Sequence, residues 1–379
     1  MHVLDASRSV PVVQSLITES QKDQFFLDLQ NEYQEIREQH SKRQDTKEYL
    51  SLQEARANKF NYSASTPDII TPAKLGITVF DNFPLAELRS YIDWTPFFLA
   101  WELRGRYPSI LKDEIVGHEA TQLFNDANKI LDKIISEKLL TAKAVIGIFP
   151  ANSIPEMDNI EVYTDESRKE ILTTFHTLRQ QGIKAKGVPN LAISDFIAPK
   201  NNANDYMGGF AVTAGIGIEK LVAQFEEEHD DYSSIIVKAL ADRLAEAMAE
   251  IMHEKVRKTI WGYAPNEHLS NEELIREKYR GIRPAPGYPA CPEHTEKRIL
   301  FDLLEVERNT GITLTESYAM YPAASVSGFY FAHPQSKYFP VGKICKDQIE
   351  DYAQRKQMSV LEVERWLAPY LEYEPELVN

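Results

Sequence analysis

Hydrophobic residues recur along this chain with two different periods. Short apolar runs bounded by turn formers predict strands at AVIGIF (144–149), NIEVYT (159–164), NLAISDFI (190–197), GFAVTAGIGI (209–218), SGFYFAH (327–333) and the stretch from Tyr338 to Ile344. Helical spacing takes over elsewhere. KEILTTFHTLRQQ (169–181) reads as a helix. The strongest helical signal spans about Ser233 to Gly262, where Ile236, Leu240, Leu244, Met248, Ile251 and Met252 share one side and Asp242, Glu246, Glu250 and Lys255 the other. Two more helices open with capping boxes, Ser270 with Glu273 and Ser359 with Glu362. FYFAHPQSKYF predicts a hairpin with Pro334 in its turn.

Upstream, residues 10 to 60 are rich in Gln, Glu, Lys and Arg, with Phe25, Phe26, Leu29 and Tyr33 at helical spacing. Such charge-laced helices are usually solvated, so a surface helix is favoured over a partner-binding one. The opening HVLDAS reads as a short strand with nothing upstream to pair with, which suggests the C-terminal piece of a longer, multidomain protein. The expected organisation is a helical arm over 1–60 and one domain over 61–379. Strands and helices do not alternate as a doubly wound parallel sheet requires. The expected class is therefore α+β, a mostly antiparallel twisted sheet with surrounding helices, preceded by the helical arm.

Charge narrows the function. Lys plus Arg number 42 against 57 Asp plus Glu, a formal net charge of -15, which opposes general attraction to nucleic acid or an anionic membrane. No apolar run approaches the roughly 18 residues of a membrane helix. Two cysteines, Cys291 and Cys345, in a long chain without a secretory signal point to a reduced, cytoplasmic setting.

The short motifs are weak. FAVTAGIGIEK offers Gly215 and Gly217 as a nucleotide loop, but Lys220 stands where a third glycine belongs, and tight strand packing explains the glycines better. His253 and Glu254 begin a zinc-protease pattern that fails at Arg257. Cys291 and His294 lack the further ligands zinc needs and the third member a Cys–His catalyst needs. Neither a catalytic residue nor a metal site is expected in this chain. In YIDWTPFFLAWELRG, Thr95 is an N-cap candidate and Pro96 takes the favoured first helical position, while Asp93 either favours the helix N-terminus or presents a carboxylate to a ligand ammonium.

RPAPGYPACPEHTEK (283–297) places four prolines among reactive and hydrogen-bonding groups. Each proline fixes its own φ and pushes the preceding residue toward extended geometry, so the segment is stiff. Rigid linker and binding loop are equally compatible with that composition.

This stretch, together with YIDWTPFF and LTESYAMYPAASVSGFYFAHPQSKYF, resembles the C-terminal activation domain of cobalamin-dependent methionine synthase, from about residue 60 to the end. The resemblance implies a module that binds S-adenosylmethionine and enables reductive methylation of the parent enzyme's oxidised cobalamin, with a flavodoxin-type protein as electron donor. By the same resemblance, residues 1–60 join it to the cobalamin-binding domain, and cobalamin and zinc belong to other domains. Its motifs carry the ligand contacts onto Asp93, Arg283, Ala285, Gly287, Tyr288, Tyr338 and Phe339, with Phe339 standing where related sequences often have a second tyrosine. The chemistry suits the ligand: a fork-shaped cation for its carboxylate, an anion for its ammonium, aromatic and backbone faces for sulfonium and adenine. A stand-alone methyltransferase and a pure interaction module are the alternatives, and an acidic flavodoxin would require a local basic patch on this acidic chain.

Overall fold

The computed structural model of the chain describes residues 12, 15, 16, 18–44, 48–62 and 69–375. The HVLDAS segment lies outside them. The chain divides into two units, Met1–Leu50 and Ser51–Asn379. The first holds helix α1 (Glu19–Gln44), on which Phe26 and Tyr33 are exposed, as on a solvated helix.

The second unit begins ten residues before the expected boundary at 61. Helix α2 (Leu52–Ala57) is closed by a complete Ser51–Glu54 capping box and buries Leu52 and Ala55. Its Arg56 bonds Asp158 at 2.8 Å and Asp351 at 2.9 Å, so the segment is seated in the body by buried contacts that composition alone does not reveal.

The body is α+β. Strand β1 (Gly76–Phe83) leads through α3 (Thr95–Ala100) and α4 (Gly117–Glu137) into the long central strand β2 (Thr141–Ile154), then β3 (Asn159–Tyr163), β4 (Ile171–His176) and β5 (Asp205–Ile216). Helices α5 (Ile218–Glu227), α6 (Asp231–Lys255), α7 (Asn271–Ile275), α8 (Glu296–Leu303) and α9 (Val306–Thr310) follow. A two-stranded ribbon of β6 (Thr313–Leu314) and β7 (Met320–Tyr321), strand β8 (Ser325–Tyr330), α10 (Lys346–Lys356) and α11 (Val360–Leu367) complete the chain. The six-stranded sheet runs β4-β3-β2-β5-β8, with β1 also on β2, and all its ladders are antiparallel.

Alternation along β2 and β5 builds two cores. Ala144, Ile146, Ile148, Phe210 and Val212 face α4, α5 and α6. Val145, Phe149, Ala151, Met207 and Ala211 face the α8–α11 layer. Among the described residues no helix is long and apolar enough to cross a membrane.

Three expected elements differ. KEILTTFHTLRQQ contains strand β4, not a helix, as its Ile171, Thr173, Thr174 and Phe175 suit a pleated surface. The apolar run 190–197 is buried without being a strand: it makes a short turn, Ile193–Phe196, held by Asp195 against Arg179. No second hairpin strand follows Pro334. The edge of β8 where it would pair is taken by residues 282–284, since Ile282 and Phe331 exchange backbone hydrogen bonds at 3.0 Å and the Phe329 amide donates to the Pro284 carbonyl at 2.8 Å. The long helix forms as expected, with Asp230 capping it by accepting from the Ser233 amide at 3.0 Å.

Candidate functional site

Pairing with β8 holds the proline-rich segment as a short extra edge on the sheet. Past Pro284 the chain doubles back, the Tyr288 amide donating to Ala285 at 3.2 Å and the Gly287 amide to Cys291 at 2.8 Å. Gly287 has φ +94°, and the His294 ring stands 2.5 Å from where a Cβ would lie, so only glycine fits this turn without rearrangement. Two hydrogen bonds tie the loop to the segment 338–341: the Val341 amide donates to the Pro289 carbonyl at 2.8 Å, and the Arg283 amide to the Tyr338 hydroxyl at 3.0 Å.

Between this loop, that segment and α6 lies a cavity of 570 Å³, whose walls include Glu246, Glu277, Arg283, Tyr288, Tyr338 and Phe339. Ala285 lines it too. A cavity of 310 Å³ adjoins it, sharing Glu246, Ala285 and Tyr288 and adding Gly287, His294 and Lys297. These are dimensions at which small molecules are bound. Tyr288 is 63% exposed at the mouth, whereas Phe339 is nearly buried and packs edge-on to Phe196 at 6.3 Å.

Arg283 dominates the electrostatics. Its Nη2 lies 2.9 Å from Glu250 Oε2, while its Nη1 is buried with no hydrogen-bond partner. Burial, the largest single influence, opposes the charge, but Glu250, Tyr279, Tyr338 and Glu246 together outweigh it and raise the guanidinium's pKa above its ordinary value. Glu277, across the cavity, has its carboxyl pushed up by burial and pulled back in part by Arg283.

Asp93 does not line either cavity. Its Oδ1 accepts the Thr95 amide at 2.9 Å, so Asp93, and not Thr95, serves the start of α3; the Thr95 hydroxyl instead accepts from the Tyr107 amide at 3.2 Å. Its segment nevertheless packs along α6. Tyr91 donates to Glu254 at 2.7 Å on one side of Asp93, and Trp101 meets Tyr232 ring to ring at 5.2 Å on the other.

The weaker motifs resolve into packing. Gly215 abuts Ala324 and Pro322, and Gly217, at φ +95°, turns the chain into α5. His253 is fully buried and stacks on Tyr330 at 5.1 Å. Burial pushes the Cys291 thiol well above its ordinary pKa, and His294 Nδ1 lies 3.0 Å from Lys297 Nζ. Neither arrangement activates a thiol.

The sequence model for the family described as vitamin B12 dependent methionine synthase, activation domain, matches residues 84–357. The chain belongs to that family. The chain is also similar to a crystal structure of the MetH reactivation domain bound to AdoHcy. Their sequences are 56% identical, the likeness covers 86% of this chain and 99% of that one, and the TM-score is 0.83.

The two carboxylates of this activation domain's larger cavity, Glu246 and Glu277, are not among the ligand contacts expected from the sequence. A signal for the first was present. Asp242, Glu246, Glu250 and Glu254 recur every four residues and form an acidic stripe along α6, which is unfavourable unless cations face it. Arg283, Arg257 and Lys258 supply them. Glu277, at φ +54° just past α7, follows no pattern that would have marked it.

Proposed function

We propose that this activation domain binds S-adenosylmethionine in the Arg283 cavity and orients its methyl group toward a cobalamin carried by another domain of the parent enzyme. The observation that carries the reading is Arg283, whose Nη1 is buried without a hydrogen-bond partner, in the wall of a cavity that also bears two carboxylates. That donor set fits an amino-acid zwitterion. Arg283 would hold the carboxylate by a charge-assisted bond, and Glu246 and Glu277, with Asp93 from the neighbouring segment, would attract the ammonium. The backbone of Ala285 and Gly287 and the rings of Tyr288, Tyr338 and Phe339 offer faces for adenine and sulfonium. Phe339 contributes a ring without a hydroxyl. AdoHcy, bound in the similar reactivation domain, is the same molecule without the methyl group.

When bound, the ligand supplies an electrophilic methyl on a sulfonium. The chain's own task is then to bind, orient and shield, which requires no general base. In this reading cobalamin and zinc reside on other domains, the cobalamin-binding domain docks over the cavity, and a flavodoxin-type protein delivers the electron. The isolated chain is expected to bind S-adenosylmethionine without turning it over.

Calorimetry tests this. The chain should bind S-adenosylmethionine, and Arg283→Ala should lose about 1.5–3 kcal/mol, roughly a ten- to hundredfold weaker affinity. Unchanged affinity would remove Arg283 from the site. Methyl transfer to a small nucleophile without cobalamin would instead favour a stand-alone methyltransferase, and absence of binding an interaction module.

A further inference from the structure

We propose that Glu250 is a positioning residue for ligand carboxylate recognition: it fixes the guanidinium plane of Arg283 so that one nitrogen is left for the ligand. This rests on the reading of the cavity given above. Glu250 lies one helical turn beyond Glu246 on α6 and does not line the cavity itself. Its Oε2 takes Arg283 Nη2 at 2.9 Å, and its Oε1 faces Arg257 Nη1 at 3.8 Å. Arg257 is fixed in its turn. Its side chain is completely buried, its Nε donates to Glu267 at 2.8 Å, and its guanidinium lies 4.4 Å from the centre of the Tyr279 ring.

Glu250 is therefore bracketed by two guanidinium groups. Its Oε1 makes no hydrogen bond, so what it offers Arg257 is negative charge at 3.8 Å; an amide would lose that charge and turn its NH₂ toward one of the two guanidinium groups. Because a guanidinium is planar and rigid, anchoring one nitrogen sets the direction of the other, while the backbone is held by the hydrogen bond that the Arg283 amide donates to the Tyr338 hydroxyl. The charges along this row balance, with Arg283 and Arg257 against Glu250 and Glu267. Nη1 of Arg283, a residue of the cavity wall, remains buried without a hydrogen-bond partner.

The test compares two ligands on the full chain by calorimetry: S-adenosylmethionine and its decarboxylated analogue, which lacks the group that Arg283 would hold. Glu250→Gln should weaken S-adenosylmethionine binding by about tenfold or more and leave the analogue within about twofold. Loss of carboxylate selectivity is a readout that general loosening of the fold would not produce. If Glu250→Gln does not fold, Glu250→Asp, which keeps the charge but withdraws it by one methylene, carries the same comparison. Failure of the unaltered chain to bind S-adenosylmethionine would overturn the reading of the cavity. Binding by the unaltered chain, with the variant weakening both ligands equally or neither, would overturn the positioning role alone.

Discussion

At position 333 a histidine is buried against Phe60, Tyr62 and Phe196, with ring centroids 5.5, 5.2 and 6.1 Å away. Its Nδ1 accepts the Gln335 amide at 3.1 Å, and its Nε2 is buried without a partner. Burial, helped by Arg280, lowers its pKa from 6.5 to about 4. Between those values the unfolded chain binds the proton and the folded chain does not, so this residue's contribution is full above pH 6.5 and is lost as pH falls toward 4. At 1.36 kcal/mol per pH unit the loss is about 3 kcal/mol. Denaturant unfolding across that window should show His333→Asn, which keeps an acceptor near the Gln335 amide, losing less stability on acidification than the parent. Equal losses would mean that His333 is not the sensor. Residues of this kind are hard to read from sequence, since a lone histidine carries no mark of what surrounds it. Arg283 is the opposite case: the proline-rich stretch announced a stiff segment, although only the fold brings Glu250 to it from α6.

The turn after Pro284 depends on one glycine, and this makes the loop testable as an element. Gly287→Ala would place a left-handed residue at φ +94° and drive its Cβ into the His294 ring. The backbone cost and the overlap together should lower the unfolding free energy by roughly 2–4 kcal/mol. Combining it with His294→Ala should recover the overlap part, so that the two changes are non-additive in a double-mutant cycle. Strict additivity would show that the ring is not the obstacle. Helices α6 and α7 and the strands β2, β3, β5 and β8 were legible because periodicity and capping report local preference. Strand β4 and the turn at 193–196 were not. An apolar run reports burial, and whether it pairs depends on which sheet edge is free. The same reason turned the expected hairpin after Pro334 into a loop, its place on β8 being filled from residues 282–284.

For the whole molecule, the cavity and both cores belong to the unit that starts at Ser51. Removing residues 1–50 should leave the unfolding midpoint and S-adenosylmethionine affinity of the remaining chain close to those of the full one. A large loss of either would assign the arm a part in the site. Composition marked the arm by its charge but set its end at residue 60, because the contacts of Leu52 and Arg56 join partners about a hundred residues or more away and leave no local trace. Fold class was recoverable from the irregular order of strands and helices, which excluded a parallel sheet. The most direct measurement is a crystal structure of the chain grown with S-adenosylmethionine. The ligand should occupy the cavity with its carboxylate on Arg283 Nη1 and its ammonium toward Glu246. Ligand bound elsewhere, or in the cavity with Arg283 still turned wholly to Glu250, would contradict the account.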